Sequence, residues 1–366
     1  MSGLIKKNPE DRFRKGKEMK TRKITSIMFF ILIISTLGVI IASSMVGSSN
    51  IEFQDSLRIL GSKVPGLKRI ISVKDIKSVY IKIIWQVRLP RIILAGLVGA
   101  GLSIVGVGFQ GIFRNPLADP HILGVSSGAA LGATIATICG FTVQFASLSV
   151  VGAFAFIGAL ITVFVVYNLS SLGGRKNITG MLLTGTTIST LLSSIISLIM
   201  TRNLEKMEKI YLWTLGSFSA ATWPKVRFVG IFVLVCSGCL ICMGRELDVI
   251  MTGEDSAYSL GVDLIKVRRR IIVVSSLLVA ACVSVSGVIG FVGLIIPHCM
   301  RLINGPNNRK LIVNSFFAGA IFMILSDTIA RTITAPSELP VGVITAICGA
   351  PYFIFLLYYN QKKNSR

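Results

Sequence analysis

The sequence predicts an all-α membrane protein in which about ten helices cross the bilayer as a tightly packed bundle. Hydrophobic residues make up 52% of the 366 positions and charged residues only 15%, against about 25% charged in a soluble domain. The mean hydropathy is +0.75. The apolar residues come in long blocks such as residues 24–46, and about 20 apolar residues span a bilayer core as one helix. A soluble globular fold is therefore excluded.

Nine apolar blocks are visible, and the seventh is too long for one span. This block breaks at the glycine-containing stretch 284–290 and is expected to end at Pro297 and His298, so we divide it into two helices. Ten spans result, which places both termini on the same side of the membrane. The blocks are residues 24–46, 92–113, 122–141, 145–169, 178–200, 226–243, 271–303, 311–330 and 340–359.

Basic residues favour one orientation of these spans. Lys and Arg are enriched in cytoplasmic segments, and placing both termini inside puts the majority of the 38 Lys and Arg residues there. Residues 47–91 are unusually basic for an outer loop, which weakens this argument without reversing it. We predict a cytoplasmic N-terminal segment (1–23), one transmembrane domain (24–359) and a cytoplasmic tail (360–366) in the cell membrane. We expect the Lys and Arg residues that give the net charge of +22 to contact anionic lipid rather than nucleic acid.

Small residues inside the apolar blocks predict close helix packing. Among the 35 glycines, Gly128 and Gly132 form a GxxxG pair, a spacing that lets two helix backbones approach closely in lipid. All seven cysteines also lie in apolar stretches, where a free cysteine behaves as a small buried residue. Cys236, Cys239 and Cys242 have the spacing CxxCxxC, but no fourth cysteine lies nearby to complete an iron–sulfur motif. We therefore predict helix packing there and no metal site.

The chain has few residues that could carry out covalent chemistry. It contains no GxxxxGK(S/T) phosphate-binding loop and only two histidines, His121 and His298, each beside a proline near a predicted helix end. We expect both histidines to make hydrogen bonds at helix ends. We expect no catalytic residues and no cofactor in this chain, which leaves transport as the function to consider.

Asp327 is the clearest ionisable residue within a predicted span. Such residues are costly in a membrane and mark either a function or a paired charge. Arg331 follows four residues later and lies on the same helix face. We favour a local ion pair between Asp327 and Arg331. The alternative is an ion-coupled secondary transporter that uses Asp327 as its proton carrier.

Residues 244–270 combine acidic and basic residues with apolar residues at helical spacing. This pattern predicts a compact helical loop that offers a protruding surface to a cytosolic partner. The alternative is a solvated connector. The apolar residues at helical spacing are Leu247, Ile250, Met251, Ala257, Leu260 and Leu264.

Many short strings resemble a known family of membrane proteins. They follow the order of that family from about residue 85 to about residue 355, which is nearly all of the chain after the first span. The strings are RLPR (88–91), GAGL (99–102), Gln110, RNPLADP (114–120), ILGVSSGA (122–129), Gly253 and Glu254 with Ala257 and LGV (260–262), GVIGFVGLIIPH (287–298), Asp327 with Arg331, ELPVGV (338–343) and GAP (349–351). They resemble the FecCD-type permeases of ABC importers for iron-siderophores, haem and vitamin B12.

The resemblance implies the fold of a type II ABC importer permease with ten spans. It implies a second permease subunit, identical or homologous to this chain, and a dimer of separate cytosolic ATPases that bind ATP and Mg²⁺. It also implies an extracytoplasmic binding protein that delivers the substrate. The implied cargo is an iron complex, with a ferric siderophore first and haem second, or else the corrinoid cobalamin.

The resemblance also implies a docking role for three arginines. Arg88, Arg91 and Arg331 are expected to face outward and to meet acidic residues of the binding protein, since complementary charges steer such encounters. The alternative is that their side chains snorkel toward lipid phosphate.

The remaining roles implied by the resemblance concern ATPase coupling, the gate and structural motifs. The residues expected to couple to the ATPase are Gly253, Glu254, Ala257, Leu260 and Gly261. The expected cytoplasmic gate is Asn177, Ile178 and Thr179, where Ile178 departs from the small hydroxyl residues of the family. The expected structural motif residues are Asn115, Pro116, Pro297, His298 and Asp327.

Overall fold

The computed structural model describes residues 9–47, 51–63, 75–140, 144–145, 148–170 and 178–364, and most of them are helical. The elements of the first half are α1 (Pro9–Met45), α2 (Phe53–Gly61), α3 (Ser78–Lys82), a π-helical turn (Ile83–Arg88), α4 (Leu89–Phe113), a 3-10 turn (Pro120–Leu123), α5 (Val125–Cys139), β1 (Gln144–Phe145), β2 (Leu148–Ser149) and α6 (Val150–Leu169). Those of the second half are α7 (Ile178–Arg202), α8 (Leu204–Thr214), α9 (Trp223–Cys242), α10 (Gly244–Met251), α11 (Glu254–Ser259), α12 (Leu264–Ser286), α13 (Val292–Asn304), α14 (Asn308–Ala330) and α15 (Val341–Asn364). The two short strands pair as an antiparallel hairpin.

Ten apolar helices form the body of the described part of the chain. Seven are long and apolar enough to cross a membrane. The longest of these, Ser78–Phe113, has 36 residues because α3, the π-helical turn and α4 continue into one another. Three apolar helices are shorter, at Val125–Cys139, Val292–Asn304 and Val341–Leu356. These ten helices coincide with the predicted blocks, so the prediction of an all-α polytopic bundle is confirmed.

The predicted break in the seventh apolar block is present, between α12 and α13. Gly287 caps α12 with a φ of +71°, a conformation that glycine adopts without strain. The prediction that α13 ends at Pro297 and His298 is wrong, because this helix continues to Asn304. A proline removes one backbone hydrogen bond of a helix, and membrane helices tolerate this loss where neighbouring segments surround it. Pro297 is buried in this way.

Glycines allow two pairs of helices to pack backbone against backbone. A Cβ atom at Gly128 would overlap the carbonyl oxygen of Gly158, and one at Gly132 would overlap the carbonyl oxygen of Phe154, so α5 and α6 are in direct contact. α4 and α14 meet in the same way at Gly99 and Gly319. The close packing predicted from the GxxxG pair is confirmed.

Replacing Gly128 with alanine is expected to destabilise the bundle by about 1–3 kcal/mol, because the added methyl group has to push α5 away from α6. Gly238→Ala is the matched control: Gly238 also lies in a long apolar helix, but nothing lies within 4 Å of the position of its Cβ atom. Denaturation of the purified protein in detergent measures both free energies of unfolding. Equal stability of the two variants would contradict the backbone contact.

Candidate docking and coupling sites

Charged side chains from two helices and a loop meet at the beginning of α4. The Nε and Nη2 atoms of Arg91 donate to the carboxylate of Asp327 on α14, at 2.9–3.1 Å. The Nη1 atom of Arg91 donates to both carboxylate oxygens of Glu338, at 2.9 Å. Arg91 and Asp327 are buried, and a buried charge is tolerated when it is paired and hydrogen-bonded. This cluster joins α4, α14 and the loop before α15.

The predicted ion pair between Asp327 and Arg331 is present, but Arg91 is the closer partner of this carboxylate. The Nε atom of Arg331 lies 3.9 Å from the Asp327 carboxylate, farther than the three nitrogen–oxygen contacts made by Arg91. Helical spacing correctly places Arg331 on the same face as Asp327, but it carries no information about Arg91, which precedes Asp327 by 236 residues.

Arg88 and Arg331 hold the end of α1. The Nη1 atom of Arg88 donates to the carbonyl oxygen of Ser44 at 2.8 Å, and Nη2 of Arg331 donates to the carbonyl oxygen of Ser43. These carbonyls belong to the last turn of α1, where the helix has no internal donors and where its dipole favours a positive charge. The two arginines therefore attach α1 to α4 and α14.

The three arginines that are predicted to meet the binding protein are buried within the chain, and their docking role stays a prediction. Arg88, Arg91 and Arg331 are only 4–7% exposed in the chain, because their guanidinium groups are needed by α1 and by Asp327. The group of this cluster that reaches the surface is Glu338, with a side chain that is 42% exposed. Glu338 begins the string 338–343 noted in the sequence, but no sequence pattern indicated its contact with Arg91, which precedes it by 247 residues.

The opposite end of α4 contacts the predicted coupling segment. α4 has 25 residues and is roughly 38 Å long at 1.5 Å per residue. We call its Arg91 end the arginine end of the bundle and the other the α11 end. At the α11 end, Glu254 accepts hydrogen bonds from Arg268 at 2.7 Å and from Arg114 at 3.5 Å. Glu254 thus ties α11 to the beginning of α12 and to the end of α4.

α10 is attached to α14 by one aspartate. The Oδ1 atom of Asp248 accepts hydrogen bonds from the backbone N of Asn308 at 2.7 Å and from its side-chain Nδ2 at 2.9 Å. Asn308 is the first residue of α14, whose backbone N–H groups lack acceptors within the helix. The residues 244–270 therefore form a compact pair of short helices with contacts to α4, α12 and α14. Asp248, Arg268 and Arg114 were not indicated by the sequence as members of this contact.

The five predicted coupling residues lie together in and around α11. Gly253 precedes the helix with a φ of +128° and Gly261 follows it with a φ of +76°, so both turns use conformations that favour glycine. Ala257 is buried, while Leu260 is 68% exposed. Tyr258, which the sequence did not single out, is also exposed. Two large apolar side chains thus project from a helix whose other side is fixed to the bundle.

The predicted structural motif residues lie at the turn after α4 and within the helices α13 and α14. Asn115 accepts a hydrogen bond from the backbone N of Leu117 at 2.9 Å, and with Pro116 it ends α4. His121 contacts the carbonyl oxygen of Ile289 at 2.9 Å, so it makes the helix-end hydrogen bond that we expected. His298 instead lies within α13, with its ring near that of Tyr352. Among the described residues, no group of three or more His, Cys, Asp or Glu could hold a metal ion.

The predicted gate falls largely outside the described residues. Asn177 and the side chain of Ile178, the first residue of α7, lie outside the part of the chain that the structure describes. Thr179 is exposed at the beginning of this helix. The gate therefore stays a prediction.

Asp327→Asn is expected to destabilise the protein by about 3–5 kcal/mol, because it removes the charge paired with the buried side of Arg91 and leaves only the partly exposed Glu338 as its counter-charge. Combining it with Arg91→Gln should cost less than the sum of the two single changes. Glu338→Gln is the control, with an expected cost below about 1 kcal/mol because its partly exposed pair is screened. Denaturation in detergent measures all four variants, and additive losses in the double variant would contradict the ion pair.

Lowering the pH is expected to loosen α11. The hydrogen bond and charge of Arg268, with a smaller contribution from Arg114, hold the pKa of Glu254 below its usual value of 4.5. Because the folded-state pKa is depressed, this stabilisation is present above the unfolded-state pKa and is lost as the pH falls through the folded-state pKa.

Hydrogen exchange of the α11 amides, corrected for the intrinsic effect of pH, measures this loosening from about pH 6 to about pH 3. The Glu254→Gln variant should show weaker protection throughout and no such step. Constant protection of α11 in the unchanged protein over this range would show that Glu254 does not hold the helix.

Comparisons with known proteins agree with this architecture. The model of the FecCD transport family matches residues 31–359. The cobalamin import permease of Halobacterium salinarum is 42% identical over 277 residues, which are 75% of this chain and 73% of that protein. The molybdate import permease of Haemophilus influenzae is 39% identical over 81% of this chain and 88% of its own. A solved inward-facing structure assigned to a metal-chelate type ABC transporter has a TM-score of 0.77 and 34% identity, covering 91% of this chain and 99% of that one.

The family match extends over most of the chain, and these similarities cover the helices that form both the arginine end and the α11 end. ABC importer permeases work with an ATPase and a second permease, and they are transport subunits. The chain belongs to the FecCD transport family and is a multi-pass membrane permease of a type II ABC importer.

Proposed function

We propose that this permease carries an iron complex, in first place a ferric siderophore, into the cytoplasm. A dimer of separate cytosolic ATPases drives the transport at the α11 end, and an extracytoplasmic binding protein delivers the substrate at the arginine end. Both termini are cytoplasmic. The observation that carries the proposal is the attachment of α11: it exposes Leu260 and Tyr258 on one side, and Glu254 connects it to α4 and α12.

The residues that line a large cavity are an argument for a bulky chelate as the cargo. The cavity has a volume of about 680 Å³ and lies between the break at residues 288–291 and α15, within the range of cavities that hold small ligands. Its lining residues carry no charge. α7 likewise has an exposed face of hydroxyls and no charged residue before Arg202. Molybdate, the cargo named for one relative, is a bare dianion, and cationic side chains bind such an ion most strongly. Because the cavity and the hydroxyl face of α7 present no such side chains, they favour a metal complex enclosed in its chelator.

The exposed faces of α7 and α15 provide a contact surface for the second permease subunit. Both α7 and α15 leave large apolar side chains uncovered, among them Leu183, Leu198 and Ile347. A homologous or identical chain placed against them would close the cavity into a pathway between two subunits. Thr179 at the beginning of α7 would then stand near the cytoplasmic gate.

Docking of the binding protein requires a rearrangement at the arginine end. Glu338 covers the Nη1 atom of Arg91, while Arg88 and Arg331 are directed at α1. An acidic residue of the binding protein would therefore replace Glu338 on Arg91, which is possible because the Glu338 side chain is partly exposed. The buried half of the Arg91 guanidinium would stay on Asp327.

An ion-coupled carrier is less consistent with these contacts. Asp327 accepts three hydrogen bonds from Arg91 and is buried with it between α4 and α14, so protonation of Asp327 would break the ion pair that joins these helices. A proton carrier has to change protonation during each cycle. Asp327 is therefore better suited to holding the helices together.

Reconstitution of the permease with its ATPase and binding protein in liposomes tests the proposed function. Uptake of ferric siderophore should require ATP and should be abolished by vanadate, with haem and cobalamin carried less well. Uptake driven by a proton gradient alone, without ATP, would overturn the proposal. Preference for molybdate would overturn the assignment of the cargo.

Replacing exposed Leu260 with aspartate is expected to lower transport and to weaken association with the ATPase by roughly tenfold or more, as for an apolar anchor at an interface centre. Leu204→Asp is the control, since Leu204 is 70% exposed on α8, beyond the coupling segment. Co-purification and ATP-dependent uptake measure both variants. If Leu260→Asp behaves like Leu204→Asp, α11 is not the coupling surface.

A further inference from the structure

A groove on the side of the bundle lies between α6 and α12. Its volume is about 370 Å³, and most of its wall is apolar, with Leu160, Val163 and Phe164 on α6 and Val273 and Leu277 on α12. Phe164 and Val273 are strongly exposed. The groove follows two helices that are each long and apolar enough to cross a membrane, so its wall lies at the depth of lipid acyl chains.

One end of this groove is polar and positively charged. Arg269, near the beginning of α12, lines it together with Tyr167 and Asn168 at the end of α6. Its neighbour Arg268 is engaged by Glu254. In contrast, Arg269 is exposed and has no acidic partner among the residues that the structure describes. A cation and a tyrosine at the end of an apolar helix pair are typical of the boundary between headgroups and acyl chains.

A second polar group in the wall also lacks a protein partner. Ser276 lines the groove and is 3% exposed, and its hydroxyl has no hydrogen-bond partner among the described residues. A buried hydroxyl without a partner is costly, so an acceptor from outside the chain would stabilise it. Ester carbonyl oxygens of a phospholipid are such acceptors.

We propose that this groove is a binding site for one anionic phospholipid, with the phosphate group at Arg269 and an acyl chain along Leu160, Val163 and Leu277. The charge of Arg269 favours a headgroup with a net negative charge over a zwitterionic one. The apolar wall favours an acyl chain over a soluble phosphate compound. This site is separate from the arginine end, from α11 and from the cavity beside α15.

Tryptophan fluorescence in bilayers tests the proposal. In the full-length chain, Phe164→Trp places a reporter in the groove at a position that is 69% exposed, and Leu234→Trp places one on α9 at a position that is 70% exposed. Each is titrated with brominated phosphatidylglycerol or brominated phosphatidylcholine, and the unchanged chain gives the background of Trp85, Trp213 and Trp223. The reporter at position 164 should show a preference of about fivefold for phosphatidylglycerol. The reporter at position 234 should show none.

Two arginine variants identify the headgroup contact. Arg269→Gln in the Phe164→Trp chain should abolish the preference, while Arg270→Gln should keep it, because Arg270 is also exposed but does not line the groove. Val273→Trp is a second reporter on the opposite wall and should repeat the result. An equal response to both lipids, a preference that survives Arg269→Gln, or no quenching at positions 164 and 273 while position 234 is quenched would each overturn the proposal.

Discussion

The ion pair between Arg91 and Asp327 determines how the arginine end is built. Two opposite charges inside an apolar bundle are stable only together, because either one alone leaves an unpaired charge away from water. The pair fixes the beginning of α4 against the end of α14. Arg88 and Arg331, on either side of the pair, then hold the last turn of α1. The three buried arginines and Asp327 thus join α1, α4 and α14 at this end of the bundle.

α4 and α14 extend from this ion pair to the opposite end of the bundle. Their backbones are in contact at Gly99 and Gly319. At the α11 end, Arg114 just after α4 contacts Glu254, and the first residue of α14 is bound by Asp248. The two helices therefore form one unit with a charged contact at each end. A force applied to α11 would therefore act on this unit directly, as the proposed coupling to the ATPase requires.

The sequence predicts the helices better than it predicts their contacts. Long apolar blocks indicate ten spans, and a glycine-containing stretch indicates the break before α13, because both are local features of the chain. The GxxxG spacing of Gly128 and Gly132 also predicts a contact surface correctly. Local spacing predicted the ion pair of Asp327 with Arg331 but missed the closer partner, Arg91. Arg91 precedes Asp327 by 236 residues, and the burial of the three arginines depends on carbonyl groups of α1 that no residue pattern reveals.

The central claim is that α4, α14 and α11 move as one unit during transport. Distances between spin labels in the assembled transporter test it, with exposed native cysteines replaced by serine and labels at Tyr258→Cys on α11 and Ile333→Cys beyond α14, both exposed positions. A label at Leu198→Cys on α7 serves as the reference for motion of the bundle. The account predicts that the distance from position 258 to position 333 is the same with and without ATP while the distance from 198 to 333 changes. A change in the 258-to-333 distance on binding ATP would contradict it.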